Sequence, residues 1–444
     1  MKKSRVISIL ITLAMIFGLM PMNLNTVCAD VTEEGNKIII TGEVTMENRL
    51  VIEGEKTLVL EEGCLLNAKK GIEVRAGNKL IIEGTGSLKA TGTEGDSGIG
   101  VSYDDNSNAT LGDIVINGGN IEAIAGVFLY NESNYGGAGI GGYGVPSRKC
   151  IGGSITINGG KVYAEGGADE KDYSNAKGGA GIGGGNGQYC SQITITGGEI
   201  KTKNGSCASA IGAGNDVTMN ISNPESIDIS GGTIITDGNI GGSTWHTYMG
   251  EMLNISISGG NIKARQIGGG SKGGFASLTF GWTEQTKKST RIETKFDYLY
   301  NVAFNKPYME ENDPAHKVLT PEDLTKDDKA ITMVPYTPVV KKENTIKVTA
   351  KKKKIKAKKL KKKTVNVKAL KVNDVMGTVS YKILKKGNIK KIYKKLKISK
   401  KGVIKFKKGK YKKKTYKIKV KITAAGNANY NSKTLTKTIK VKIK

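Results

Sequence analysis

Cysteine and histidine are scarce in this chain. Its 444 residues include 5 cysteines and 2 histidines, His246 and His316, and no Cys-x-x-Cys pair, which excludes a zinc site of the usual spacing. Cys64, Cys150, Cys190 and Cys207 are too few to staple a chain of this size, so a hydrophobic core must hold it together. Cys150 and Cys190 each precede a repeated strand and fit either a disulfide between neighbouring repeats or two buried thiols. Long apolar runs are nearly missing too. The one present, Val6 to Leu19, is too short for a comfortable membrane span. Lys2, Lys3 and Arg5 precede it and Val27-Cys28-Ala29 follows, so residues 1–29 are expected to be a secretion signal and Asp30 the mature start. Asn25-Thr26-Val27 lacks the apolar-then-small run that would make Cys28 a lipid-anchor site, and no Leu-Pro-x-Thr-Gly sorting signal occurs.

Acidic residues are almost absent from one end. From Lys341 to Lys444 there are 40 lysines, no arginine, and only Glu343 and Asp374 as acids, a balance of +38. The remainder of the chain keeps 29 basic and 38 acidic residues, a balance of −9. Two parts of opposite sign read as two domains.

What is plentiful is glycine, 60 residues of it, and it recurs in phrase. Ile-x-Ile-x-Gly-Gly followed by another apolar residue opens at Ile114, Ile155, Ile193, Ile227 and Ile255, with a looser copy from Leu80 to Ala90. A second phrase, typically Gly-Ile-Gly-Gly, centres on Ile99, Ile140, Ile182, Ile211, Ile240 and Ile267. Ile-x-Ile is a strand with both isoleucines on one face. Gly-Gly bends the chain where a side chain would clash or φ must be positive, and two further short strands follow. The expected fold is all-β: a parallel β-helix (solenoid) with isoleucines stacked inside, rather than a disordered glycine linker. The expected organisation is a signal at 1–29, an N-terminal cap and first coils at 30–79, glycine-rich repeats at 80–270, a C-terminal cap at 271–335, a linker at 336–343 and a lysine-rich β-domain at 344–444.

The Ile-x-Ile-x-Gly-Gly phrases and the Gly-Ala-Gly-Ile-Gly-Gly phrases at Gly137 to Gly142 and Gly179 to Gly184 resemble the β-helical repeats of clostridial-type surface and carbohydrate-binding proteins, over about Leu80 to Gly270. The matching residues are core and turn positions, so the resemblance implies architecture more than ligand.

The lysine-rich end alternates. Tyr416, Ile418, Val420 and Ile422 are interleaved with Lys417, Lys419 and Lys421, and Val365/Val367, Val379/Tyr381/Ile383 and Ile439/Val441/Ile443 repeat the device. These read as half-buried strands with lysine on the wet face, turning at Gly387-Asn388, Lys401-Gly402 and Gly426-Asn427. The expected fold is a small β-sandwich. Tyr416 to Tyr430, with Ala424-Ala-Gly-Asn-Ala-Asn-Tyr430, resembles the bacterial immunoglobulin-like modules of exported Gram-positive proteins.

Such charge repels itself and calls for an anionic partner or a fold that tolerates it as a soluble basic face. Lysine without arginine supplies point charges and no bidentate forks, and interleaved aromatics for base stacking are missing, which argues against specific nucleic-acid reading. The expected partner is an anionic cell-wall polymer such as teichoic acid, held by the clusters Lys351, Lys352, Lys353, Lys354, then Lys361, Lys362, Lys363, then Lys412, Lys413, Lys414. For the repeats, the expected ligand is polysaccharide. Tyr103, Tyr143, Tyr189, Trp245 and Tyr248 supply nearly one aromatic per repeat at a corner of constant length, and a longer loop flank adds Tyr130 and Tyr135. Sugar rings lay their C–H faces on such rings. Asp104-Asp105 and Asp169-Glu170-x-Asp172 offer oxygens for Ca²⁺ but match no loop of defined ligand spacing, and read as solvated turns. No cofactor is expected. Paired carboxylates recur at no catalytic spacing, and arginine in the repeats is limited to Arg148 and Arg265, so a lyase or glycosidase is the second expectation and a structural stalk the third. The protein is expected to be secreted and associated with the cell wall.

Overall fold

The structure is a computed structural model. It describes residues 29–103, 109–144, 152–168, 176–188, 192–215, 226–243, 252–269, 275–297, 299–325, 329–337, 340–427 and 429–444. The chain divides into two compact units between Thr337 and Pro338. Strands are the main regular structure of both, and no helix among the described residues is long and apolar enough to cross a membrane.

In the first unit, short strands fall into three parallel ladders, visited in the same order in each repeat. The Ile-x-Ile strands form the first: Asp113–Ile116 pairs with Ser154–Ile157, then Gln192–Ile195, Ser226–Ile229 and Met252–Ile257, with Ile116, Ile157, Ile195, Ile229 and Ile257 in register. The strands after Gly-Gly form the second, where Leu88, Ile121, Val162, Ile200, Ile234 and Ile262 align. The Gly-Ile-Gly strands form the third, where Ile99, Ile140, Ile182, Ile211, Ile240 and Ile267 align. All these aligned residues are buried in one core cluster. Each isoleucine contributes about 2 kcal/mol by leaving water.

The two glycines of Gly-Gly answer two separate demands. A Cβ on the first would lie 2.1 Å from a carbonyl oxygen of the preceding repeat, as at Gly231 against Thr196, while the second takes φ +82°, as at Gly232. In the third ladder the glycine after each isoleucine meets both demands at once, as at Gly183, with φ +132° and a hypothetical Cβ 2.0 Å from the Gly212 oxygen.

The ladders extend beyond the phrase that predicts them. Glu55–Leu60, Leu65–Ala68 and Ile72–Glu73 precede it, and Phe275–Phe280, Arg291–Asp297 and Leu299–Phe304 follow in the same parallel pairings. Pairing requires an inward apolar residue, and Leu58, Leu66, Phe280 and Ile292 supply it without Gly-Gly. Antiparallel strands cover the ends, Asp30–Glu34 on Lys37–Thr41 and Ile331–Pro335 on Arg291–Asp297. Open parallel edges would otherwise invite further pairing.

At Glu73 a carboxylate stands in the register position that Gly100 takes in the next repeat. Its oxygens accept from Arg49 Nε at 2.7 Å, Arg75 Nε at 2.6 Å and the Ser102 N–H at 3.1 Å. Arg49 also reaches Asp96 at 3.5 Å. Burial alone would raise the Glu73 carboxyl, but Arg49, the Ser102 donor and Arg75 together hold it below its ordinary value.

The second unit places a four-stranded, a three-stranded and a two-stranded sheet around one core. Lys353–Ile355, Lys433–Ile443, Thr415–Ala424 and Val379–Ile383 form the larger, in that order. Val365–Val367, Ile404–Phe406 and Leu396–Ile398 form the smaller, and Lys347–Ala350 pairs with Leu370–Asn373. The strands lie where alternation places them, and Gly387, Gly402 and Gly426 take positive φ at the turns. Two helical segments escape the alternation argument. Ala357–Lys362 buries Leu360, and the 3₁₀ segment Gly387–Lys395 buries Ile389 and Ile392.

Candidate polyanion-binding face

The larger sheet of the lysine-rich unit turns one face to the core and the other to water. On the strand Thr415–Ala424, Tyr416, Ile418, Val420 and Ile422 are buried, and Lys417, Lys419 and Lys421 are exposed between them. On Lys433–Ile443, Ile439 and Val441 face the core, and Lys440 and Lys442 face out.

Register then brings lysines from distant segments side by side. Lys417 lies directly opposite Lys440. Lys421 lies opposite Lys382 of Val379–Ile383. Lys442 lies beside Lys354, on a parallel pairing that joins segments far apart in sequence. On the smaller sheet Lys397 faces Lys405. Like charges directly across a sheet oppose folding by roughly 0.2–1 kcal/mol per pair. Among the described residues of this unit no acidic side chain pairs with them: Asp374 pairs with Lys347 at 3.0 Å, and Glu343 accepts from Asn431 Nδ2 at 3.2 Å. The remaining outward positions of the two long strands, Thr415, Thr423, Thr434, Thr436 and Thr438, carry hydroxyls; all are exposed except the half-buried Thr423, whose hydroxyl lies 2.9 Å from that of Thr434.

The ten lysines expected from clustering alone are all exposed. Lys354 joins the face just described, whereas Lys361 and Lys362 end the helix Ala357–Lys362 and Lys351 and Lys352 precede Lys353–Ile355. Lys412, Lys413 and Lys414 lead into the long strand, with the Lys414 ammonium 5.1 Å from the centre of the Tyr416 ring. Clustering missed Lys382, Lys417, Lys419, Lys421, Lys440 and Lys442. Their signal was the alternation itself, which marks the wet side of each strand.

The aromatic residues of the first unit are arranged differently from an exposed row. Tyr143 is fully buried, so it presents no ring face to a glycan and does not belong to the expected row. Its ring packs 6.1 Å from Tyr103, which packs 5.5 Å from Phe128, which in turn stacks on Tyr130 at 6.2 Å. The hairpin of Val127–Tyr130 and Ser133–Gly136, turning through Asn131 and Glu132 at positive φ, joins the two flanks that loop lengths had separated. Tyr130 is 48% exposed. Tyr135, expected beside it, is buried with the Lys177 ammonium 4.9 Å from its ring centre. Phe128 was not anticipated, since nothing repeats at its position. Tyr189, Trp245, Tyr248, His246, Cys150, Cys190, Arg148, both acidic clusters and residues 1–28 of the expected signal lie outside the described residues.

Compared with known proteins, the chain matches no family model, no curated protein and no solved structure.

Proposed function

We propose that this chain is an exported cell-surface or extracellular binding protein whose basic module attaches to anionic cell-wall polymers such as teichoic acid. In this reading the three ladders are the faces of a parallel β-helix like those of clostridial-type surface proteins, and the lysine-rich unit is an immunoglobulin-like module. The observation that carries it is the outward face of the larger sheet, where lysines oppose lysines without a carboxylate between them. A fold keeps such pairs at a cost, and a bound polyanion relieves it. The export part of the reading rests on the charged and apolar pattern of residues 2–29. Each exposed contact is worth only about 0–1 kcal/mol, so affinity must come from number and counterion release. Binding of the full chain to purified Gram-positive walls should therefore fall steeply from low to high salt and vanish when teichoic acids are stripped. Attachment that survives molar salt sinks the proposal.

A second reading concerns the repeats. The ring series Tyr103, Phe128 and Tyr130 ends at an exposed hairpin, and favours glycan contact there.

A further inference from the structure

Resting on the wall-polymer reading, we infer that the ligand of this face is a linear polyol-phosphate chain with three carbons between phosphates, seated along one diagonal band of lysines rather than spread over the whole module. The band is set by register. It starts at Lys354, crosses to Lys442, follows Lys417, Lys419 and Lys421 along the central strand, and ends at Lys382 on the far strand.

Along the central strand every second residue faces out, so successive ammonium groups are rooted ~6.8 Å apart, while neighbouring strands lie ~4.8 Å apart. Two residues of extended peptide comprise six backbone bonds. A phosphodiester of a three-carbon polyol also repeats every six backbone bonds, so both extended chains advance by roughly 7 Å per charge. The anions of such a polymer meet the lysines of the strand one for one. Inorganic polyphosphate places its charges at two-bond intervals, so only every third phosphate meets a lysine and the two between stay unpaired. Beside the band, Thr436 and Thr438 expose hydroxyls that can donate to phosphate oxygens or accept from polyol hydroxyls. Single-stranded nucleic acid shares the six-bond repeat but wants aromatic platforms, and the rings beside the band, Tyr416 and Tyr381, lie on the core side of the sheet, Tyr416 buried and Tyr381 half-buried. Arginine forks for phosphate are also missing from the module.

The test compares two full-length variants of equal charge. In one, Lys417, Lys419, Lys421 and Lys382 are changed to Gln; in the other, Lys351, Lys352, Lys361 and Lys362. Binding of synthetic poly(glycerol phosphate) is measured across salt concentrations, after checking that neither variant melts below the wild type. The band variant should lose at least about tenfold in affinity and reduce the salt slope by about 3, near the ~0.7 per phosphate of a single-stranded chain, while the other loses less than about threefold. At equal charge the wild type should prefer poly(glycerol phosphate) to inorganic polyphosphate and to oligo-dT. Equal losses in the two variants overturn the band and leave the wall-polymer reading standing. Equal or tighter binding of polyphosphate overturns the spacing argument, and tighter binding of oligo-dT points instead to nucleic acid. A wild type that binds neither walls nor any of these polymers removes both proposals together.

Discussion

Changing Gly183 to Ala probes a close backbone approach within the third ladder. A Cβ there would sit 2.0 Å from the Gly212 carbonyl oxygen and 2.9 Å from its carbon, in a residue whose φ is +132°. Ordinary non-bonded contacts begin near 3.5 Å, so the next strand of the third ladder must retreat by more than about 1 Å. That movement strains the bonds from Gly184 N–H to Gly212 oxygen at 2.9 Å and from Ile182 N–H to Ala210 oxygen at 3.0 Å. Two weakened hydrogen bonds cost about 1 kcal/mol each, the backbone conformation about 1–2 kcal/mol, and loosened packing between Ile182 and Ile211 the rest. The expected loss is about 3–5 kcal/mol, at the severe end for one methyl group. Gly63→Ala separates the two causes, because Gly63 has φ +75° but nothing within 4 Å of a Cβ, so it should cost only about 1 kcal/mol. Urea unfolding of the full-length variants, followed by circular dichroism, measures the difference. If Gly183→Ala falls within about 1 kcal/mol of Gly63→Ala, the close stacking of the third ladder is not what demands glycine.

Asp96 supplies a pH test. Burial pushes its carboxyl up to about 6, against the pull of Arg49 and the Tyr103 N–H, with Glu73 and Glu94 adding to the rise. The folded protein then holds this proton at pH values where the unfolded chain, titrating near 3.8, has lost it. Its contribution to stability is therefore full below that value and falls as pH rises to about 6, by about 1–3 kcal/mol. Asp96→Asn should flatten this part of the profile relative to wild type; identical profiles refute the assignment. Tyr130→Ala should weaken polysaccharide binding by the full chain on glycan arrays without moving the melting temperature, since the side chain is 48% exposed. Unchanged binding removes the hairpin from the glycan reading.

How far the sequence could be read depended on whether a residue's neighbour is a copy of itself. Ile195 pairs with Ile157 on one side and Ile229 on the other, each the same position of the same phrase, so locating the phrase also located the contact. The same logic failed where the phrase stops. Phe280 continues the Ile257 column, but its segment lacks Gly-Gly and read as a cap. It failed again at Tyr143, because a period along the chain says nothing about whether a corner residue turns inward. Tyr103 follows Ile99 by four residues whereas Tyr143 follows the aligned Ile140 by three, and Tyr143 is sealed in the core while Tyr103 is only half-buried. In the lysine-rich unit, alternation assigned Lys417, Lys419 and Lys421 to the wet side, and composition identified a cationic module. Neither could pair Lys442 with Lys354 or Lys421 with Lys382, because those neighbours come from non-repeating segments whose order in the sheet is decided by how the core closes. Lysine clusters in sequence, such as Lys361 to Lys363, alternate too little to share one sheet face. A charged face built on strands is thus set by tertiary register, and the longest run of like charge is a poor guide to which lysines a sheet brings side by side.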